Sequence, residues 1–460
     1  MAETSIPTDA VRDSEEAEDS QNNVHPQTPR VLPPLEEVSS HDTDLGKAHP
    51  PAAGETFEAW AAIFRYFSSK ELKHLCYCSR DMRKYVRSYL CLLASDLTWE
   101  AWVHLALLPE DIATGISSVT VRRENDLMAL AAAVKTRSIL PNLKKLTVEG
   151  AKLPLEQGQL GSALEVIISH SVELEVLNCS DNVIGSTGSA AISKAFRQTG
   201  KLHELHLAHC RLGDEGITSI ASHLISMHLI QVIDISDNLV CYQGAIALFQ
   251  QLQHCPRLRV LSLHNNYIGS EGAEALGRAL QYVPQLQQID LYYNAIEMDG
   301  MQALASGFIH TPHMQSLNLH SCELGPAGID ALAEALREKR LVNLQILILS
   351  LNAIEDGGAQ VLFRSLAFAP ILQHLDLKNN DIRADGMYEL AEVFPYIPLL
   401  ITLNLDGNKL MNDGALFLAE GLQHLPQCQS VTTRLNGIGV EGSKALNQAG
   451  KRRGCEIRIN

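Results

Sequence analysis

LHELHLAHCRL (residues 202–212) and DEGITSIASHL (residues 214–224), joined by Gly213, carry the reading of the fold. In the first segment Leu205 and Leu207 alternate with polar residues, the period of a short strand whose apolar side faces inward. The second has the i, i+3, i+4 spacing of an amphipathic helix, with Asp214 placed to cap its start. One strand followed by one helix makes one coil. A single coil cannot bury its own apolar face, so the pattern acquires meaning only by repeating.

The pattern does repeat. LxxLxLxx(N/C)xL places its first apolar residue at Leu174, Leu202, Ile230, Leu258, Leu286, Met314, Leu344, Leu372, Leu400 and Cys428, in eight steps of 28 residues and one of 30. A glycine series from Gly188 and Gly216 to Gly414 and Gly442 runs in phase with it and reads as punctuation at the helix starts. The (N/C) position holds Asn182, Asn238, Asn266, Asn294, Asn352, Asn380, Asn408 and Asn436, with Cys210 and Cys322 in two units. Turning the chain after a strand buries backbone carbonyls, and an Asn amide can donate to them. The two cysteines are weaker donors in the same place, and Cys179, at an inward strand position, is a small hydrophobe. Upstream, ISSVTVRREN and LKKLTVEGAKL fit the template with looser spacing and read as capping-like repeats; GCEIRIN supplies Ile457 and Ile459 as a closing strand. REKR (residues 337–340) marks the two-residue insertion and reads as a bulged outer loop.

The 28-residue unit, with helices of the form GxxGxxxLAxxL, resembles the ribonuclease-inhibitor-like branch of leucine-rich repeats over roughly residues 116–460. The resemblance implies an α/β leucine-rich-repeat solenoid, a horseshoe with a parallel concave sheet and convex helices. The expected organisation is an acidic, Pro-rich disordered tail over 1–55, a small helical module over 56–112, and a repeat domain over 113–460 of about 12 repeats plus the closing strand.

Composition agrees with stacked aliphatic layers: 46% of residues are hydrophobic and only 5% aromatic. The net charge is −16, of which −9 falls in the first 55 residues, so a phosphate backbone is not an expected partner. Seven prolines and few large apolar residues mark that segment as a tail unable to offset its ordering entropy. The start, MAETSIPTDA, lacks the features of a signal peptide, and no apolar run of about 18 residues occurs, so a chain away from the membrane is expected, cytoplasmic with the nucleus as alternative. The ten cysteines show no metal-ligand spacing, which suits a reducing compartment.

Between tail and repeats lies TFEAWAAIFRYFSSKELKHLCYCSRDMRKYV (residues 56–86), whose apolar residues recur at helical spacings. Its run IFRYFSSKELKHLCYCSRDMR resembles the F-box: Ile63, Phe64, Tyr66, Phe67, Leu72 and Leu75 stand at the docking positions, followed by Cys78, Arg80, Met82 and Arg83. The usual LP pair is missing and Met82 replaces an aromatic residue. The resemblance implies docking of residues 57–88 on a Skp-type adaptor. The alternative is a helical cap over the edge of the first repeat.

Side chains between and just after the strand leucines face the concave surface. His206, Asp234, Asp290, Asn318 and Asp376 fall in one column, His264, Tyr292, His320 and Lys378 in a second, and His209, Asp237 and Tyr293 in a third. Tyr292, Tyr293, His264 and His320 fall mid-arc among carboxylates, the composition of a protein-binding hot spot. The acids predict a partner with a basic patch. His206, His209, Asp234 and Asp237 lie on neighbouring strands, but His and Asp alternating on a solvated sheet read as partner contacts, and no metal ligand set is assigned. No nucleophile–base order, phosphate loop or HExxH is present, so neither catalytic residues nor cofactors are expected. The reading is a non-catalytic protein-binding chain acting as a substrate-recognition adaptor of an SCF-type ubiquitin ligase. Its competitors are a cytoskeletal, ciliary or immune scaffold without ubiquitin chemistry, and a GTPase activator resembling the Ran activators, which usually carry an acidic segment after the repeats.

Overall fold

The structure is a computed structural model that describes residues 117–137, 140–149 and 157–459. The tail and the helical module, with Ile63, Phe64, Tyr66, Phe67, Leu72 and Leu75, lie outside the described residues. Among the described residues, thirteen strands form one parallel sheet in strict chain order. They are β1 (Ser118–Val121), β2 (Lys145–Val148), β3 (Val176–Asn178), β4 (Glu204–His206), β5 (Val232–Asp234), β6 (Val260–Ser262), β7 (Gln288–Asp290), β8 (Ser316–Asn318), β9 (Ile346–Ile348), β10 (His374–Asp376), β11 (Thr402–Asn404), β12 (Ser430–Thr432) and β13 (Glu456–Arg458). A helix follows each strand but the last. Strands lie about 4.8 Å apart whereas packed helices need about 8–10 Å, so the stack bends with the sheet on its inner side.

Register is set by the leucines. Leu205 pairs with Ile233, Ile233 with Leu261, Leu261 with Ile289 and Ile289 with Leu317. Each is at most 1% exposed, while the flanking strand residues are half-exposed or exposed, so alternation holds coil after coil. A one-residue slip would turn this whole row to water. Behind the sheet, Phe196, Phe249, Phe308, Phe363 and Phe394 are the largest fully buried side chains.

The asparagine column does more than donate. Asn238 Nδ2 donates to Leu207 O, Ile235 O and Ser236 O at 2.7, 2.9 and 2.9 Å, and its Oδ1 accepts the N–H groups of Cys210 and Leu212 at 3.0 and 3.2 Å. Every such residue thus ties its own turn to the preceding coil. Cys210 keeps only the donor half: its Sγ donates to Cys179 O at 3.2 Å, and burial pushes the thiol up to about 12. Cys322 does the same toward Leu291 O at 3.2 Å, and burial again raises it.

One local expectation needs correction. Asp214 does not cap its own helix, Gly213–Ala221, which begins after Leu212 without a side-chain cap. Its Oδ1 accepts the Cys241 N–H at 2.7 Å, just ahead of helix Tyr242–Gln251 in the next coil. Asp356 does this for Arg383 at 2.7 Å and Asn412 for Gly439 at 2.9 Å, and all three acceptors serve a helix preceded by an extended residue. Helices that begin on a left-handed residue, such as Gly213 (φ 60°), send that N–H to the carbonyl of the asparagine or cysteine position one coil on, here Asn238 O at 2.9 Å. Asp214→Ala should therefore cost about 1 kcal/mol, seen as faster hydrogen exchange at the Cys241 amide rather than at the start of its own helix.

Residues 338–340 form a turn directly after helix Gly325–Arg337, in which Lys339 is left-handed (φ 59°) and Arg340 Nη1 reaches back to donate to Ala305 O at 2.7 Å. The phased glycines are explained by close helix approach. A Cβ on Gly244 would lie 2.5 Å from Asp214 Oδ1 and 2.7 Å from Ile217 Cγ2. No helix among the described residues is long and apolar enough to cross a membrane.

Candidate functional site

The last residue of each strand begins a turn. Asp234, Asp290, Asn318 and Asp376 each accept through Oδ1 the N–H two residues on, at 3.1, 3.1, 3.2 and 2.9 Å. These short polar side chains compete for the backbone and stop the strand there. One oxygen of each is thus committed to structure. The residue three beyond the strand end is left-handed throughout: His209 (φ 54°), Asp237 (φ 55°), Asn265 (φ 53°), Tyr293 (φ 56°), Ser321 (φ 51°) and Leu351 (φ 57°). Such a φ costs a bulky residue roughly 1–2 kcal/mol. It is compensated by backbone bonds across coils, including Tyr293 N–H to His320 O at 2.9 Å.

That kink throws the third column outward. The ring of Tyr293 is 47% exposed and meets Tyr292 edge-on, with centroids 4.6 Å apart. Tyr292 in turn meets His320 edge-on at 4.5 Å and His264 at 6.0 Å, and Tyr293 lies 5.8 Å from His320. Four rings from three successive coils thus form one contiguous cluster. Ser350, fully buried, fixes it from the next coil, its Oγ 2.6 Å from His320 Nδ1. Burial lowers the His320 imidazole below its usual value and raises the Tyr292 hydroxyl, so both rings are neutral near pH 7.

Carboxylates rim the rings on the N-terminal side. Asp237 Oδ2 lies 3.1 Å from His209 Nε2 and 3.4 Å from His264 Nδ1, and its other oxygen takes a bond from Asn265 Nδ2. Burial raises Asp290 above its usual value, an environment in which an incoming cation would be favoured. Asp234 is also desolvated, but the His206 imidazole 3.8 Å away and hydrogen bonds from Ser236 outweigh that and hold it below its usual value. His206 is raised, chiefly by the Asp234 carboxylate 3.8 Å from its Nδ1 and also by Glu204, against the effect of burial.

The raised His206 value fixes a pH response. Its stabilising contribution is complete below the unfolded value of about 6.5 and is lost as pH rises through the folded value above it. Denaturant titrations should show wild type losing an advantage over His206→Gln as pH rises above about 6.5; parallel curves there would contradict the assignment.

Asp376 and Lys378 do not join the cluster. Ile348 and Leu351 of the β9 coil intervene, and Asp376 Oδ2 instead takes a bond from Asn404 Nδ2 at 3.0 Å. Asn318 sits between, its amide facing Asp290. Asn265 and Ser350 were not singled out from the sequence, though each occupies one of the surface columns; their part emerges only from side-chain geometry.

Five segments, residues 201–221, 254–277, 310–333, 341–363 and 370–391, match the family model described as leucine-rich repeat. The chain is similar to an internalin of Listeria monocytogenes at 16% identity, covering 78% of this chain and 93% of that one with a TM-score of 0.48. It is also similar to a leucine-rich-repeat protein of Leptospira interrogans at 14% identity, covering 81% and 98%, with a TM-score of 0.40. No curated protein matches the sequence.

Proposed function

We propose that this leucine-rich-repeat chain is a non-catalytic binding protein of the ribonuclease-inhibitor-like kind, whose inner sheet face holds a protein partner through a basic contact patch. The observation that carries this is the ring cluster of His264, Tyr292, Tyr293 and His320, open on one side and rimmed by Asp234, Asp237 and Asp290. Rigid aromatic anchors beside partly desolvated carboxylates are what concentrates binding energy in an interface, and they suit Arg or Lys side chains. Lys378 and Asp376, farther along the sheet, extend the polar rim.

Within that reading the chain serves as a substrate-recognition adaptor of an SCF-type ubiquitin ligase, with residues 57–88 on a Skp-type adaptor and the sheet face on substrate. The support is the F-box-like run from Ile63 to Arg83. Co-purification of the full chain tests it. A Skp-type protein should be recovered with wild type and lost with Phe64→Ala plus Leu72→Ala, while partners of the sheet face remain. Recovery of sheet-face partners with no Skp-type protein from wild type would reject the adaptor role and leave a scaffold.

A further inference from the structure

The C-terminal end of the stack carries two thiols that neither the ladder nor the binding face uses. In the nine preceding units the first apolar position is Leu, Ile or Met, and in the last it is Cys428. Cys455 stands immediately before β13, whose register with β12 pairs Ser430 with Glu456, so the two cysteines lie one position out of step on neighbouring strands. Both are 7% exposed, and their Sγ atoms are 3.5 Å apart. Cys210 and Cys322 differ, because each is committed to a carbonyl of the preceding coil.

We propose that Cys428 and Cys455 are a disulfide-forming site that a hydroperoxide closes, stapling the terminal strand to the last full coil. With neighbouring strands about 4.8 Å apart and a rise of about 3.3 Å per residue, an offset of one position puts the two Cα atoms roughly 6 Å apart, inside the roughly 4.4–6.8 Å that a disulfide spans. Bringing the sulfurs to about 2.05 Å requires side-chain rotation, not a change of strand pairing. The bond between the two thiols holds Cys455 below the usual thiol range and pushes Cys428 up, which makes Cys455 the attacking sulfur.

The chemistry balances with one hydroperoxide. The Cys455 thiolate attacks the peroxide oxygen, the O–O bond breaks and an alcohol (water, for hydrogen peroxide) leaves, giving a sulfenic acid. The Cys428 sulfur then attacks that sulfur, the S–O bond breaks, and water departs with the thiol proton. Two thiols lose two electrons to the peroxide. The consequence is local: the new bond encloses helix Val440–Arg453 and ties β13 to the coil before it.

The test uses the purified full chain treated with hydrogen peroxide and digested without reduction. A peptide joining Cys428 to Cys455, two hydrogens lighter than its parts and lost on adding dithiothreitol, is the expected result, together with several-fold slower hydrogen exchange across residues 440–453. In Cys428→Ser the sulfenic acid should persist at Cys455 and be captured by dimedone. Free Cys428 and Cys455 in wild type while other cysteines oxidise, or their pairing with different thiols, would overturn the proposal; this mapping needs no variant to fold.

Discussion

Asn238→Ala is expected to lower the stability of the fold by about 3–4 kcal/mol, far more than the removal of one side-chain amide suggests. The residue is fully buried and satisfies three carbonyls of two coils through Nδ2 and two N–H groups through Oδ1. Alanine leaves all five without that partner in a fully buried site. Cys210→Ala is the internal comparison. Its thiol offers only weak donor contacts at 3.2 and 3.4 Å, so the cost should stay near 1 kcal/mol. Equilibrium denaturation of both variants checks the ratio; equal costs would mean the acceptor half of the ladder contributes nothing.

Tyr292→Ala with Tyr293→Ala should weaken partner binding by about 2 kcal/mol or more. The fold should change by less than about 1 kcal/mol. Both rings stand on the solvent side of the sheet, and their mutual edge-on contacts at 4.6 Å and 4.5 Å to His320 pre-organise the surface rather than hold the core. Tyr396→Ala, a 61% exposed ring outside the sheet face, is the control and should leave affinity unchanged. Titration calorimetry or interferometry against the co-purifying partner separates the two. Matching affinities for all three proteins would remove the rings from the interface.

Much of this was legible from residues 202–224 alone. Leu205 and Leu207 gave the strand phase, and the 28-residue step then forced the surface columns into register, which is why rings 28 residues apart, such as His264, Tyr292 and nearby His320, could be placed together before any coordinate was known. Three things were not legible. The left-handed turn at Tyr293 depends on backbone bonds to the next coil, and nothing in a tyrosine signals φ 56°. Asp214 carries the residue type and position of a helix cap, yet its Oδ1 accepts the Cys241 N–H of the next coil while its own helix starts without a side-chain cap. Within one repeat the asparagine position signals only a donor, because the acceptor half belongs to contacts between coils that no single repeat contains. In a stacked molecule, what one coil does for the next is invisible inside its own sequence.

Hydrogen exchange of the chain with and without its co-purifying partner tests the proposed face most directly. The account predicts slowed exchange on binding in segments 262–265, 290–293 and 318–321, with the helices over 269–279 and 297–307 unchanged. Protection confined to those helices, with the strand ends exchanging as in the free chain, would contradict it.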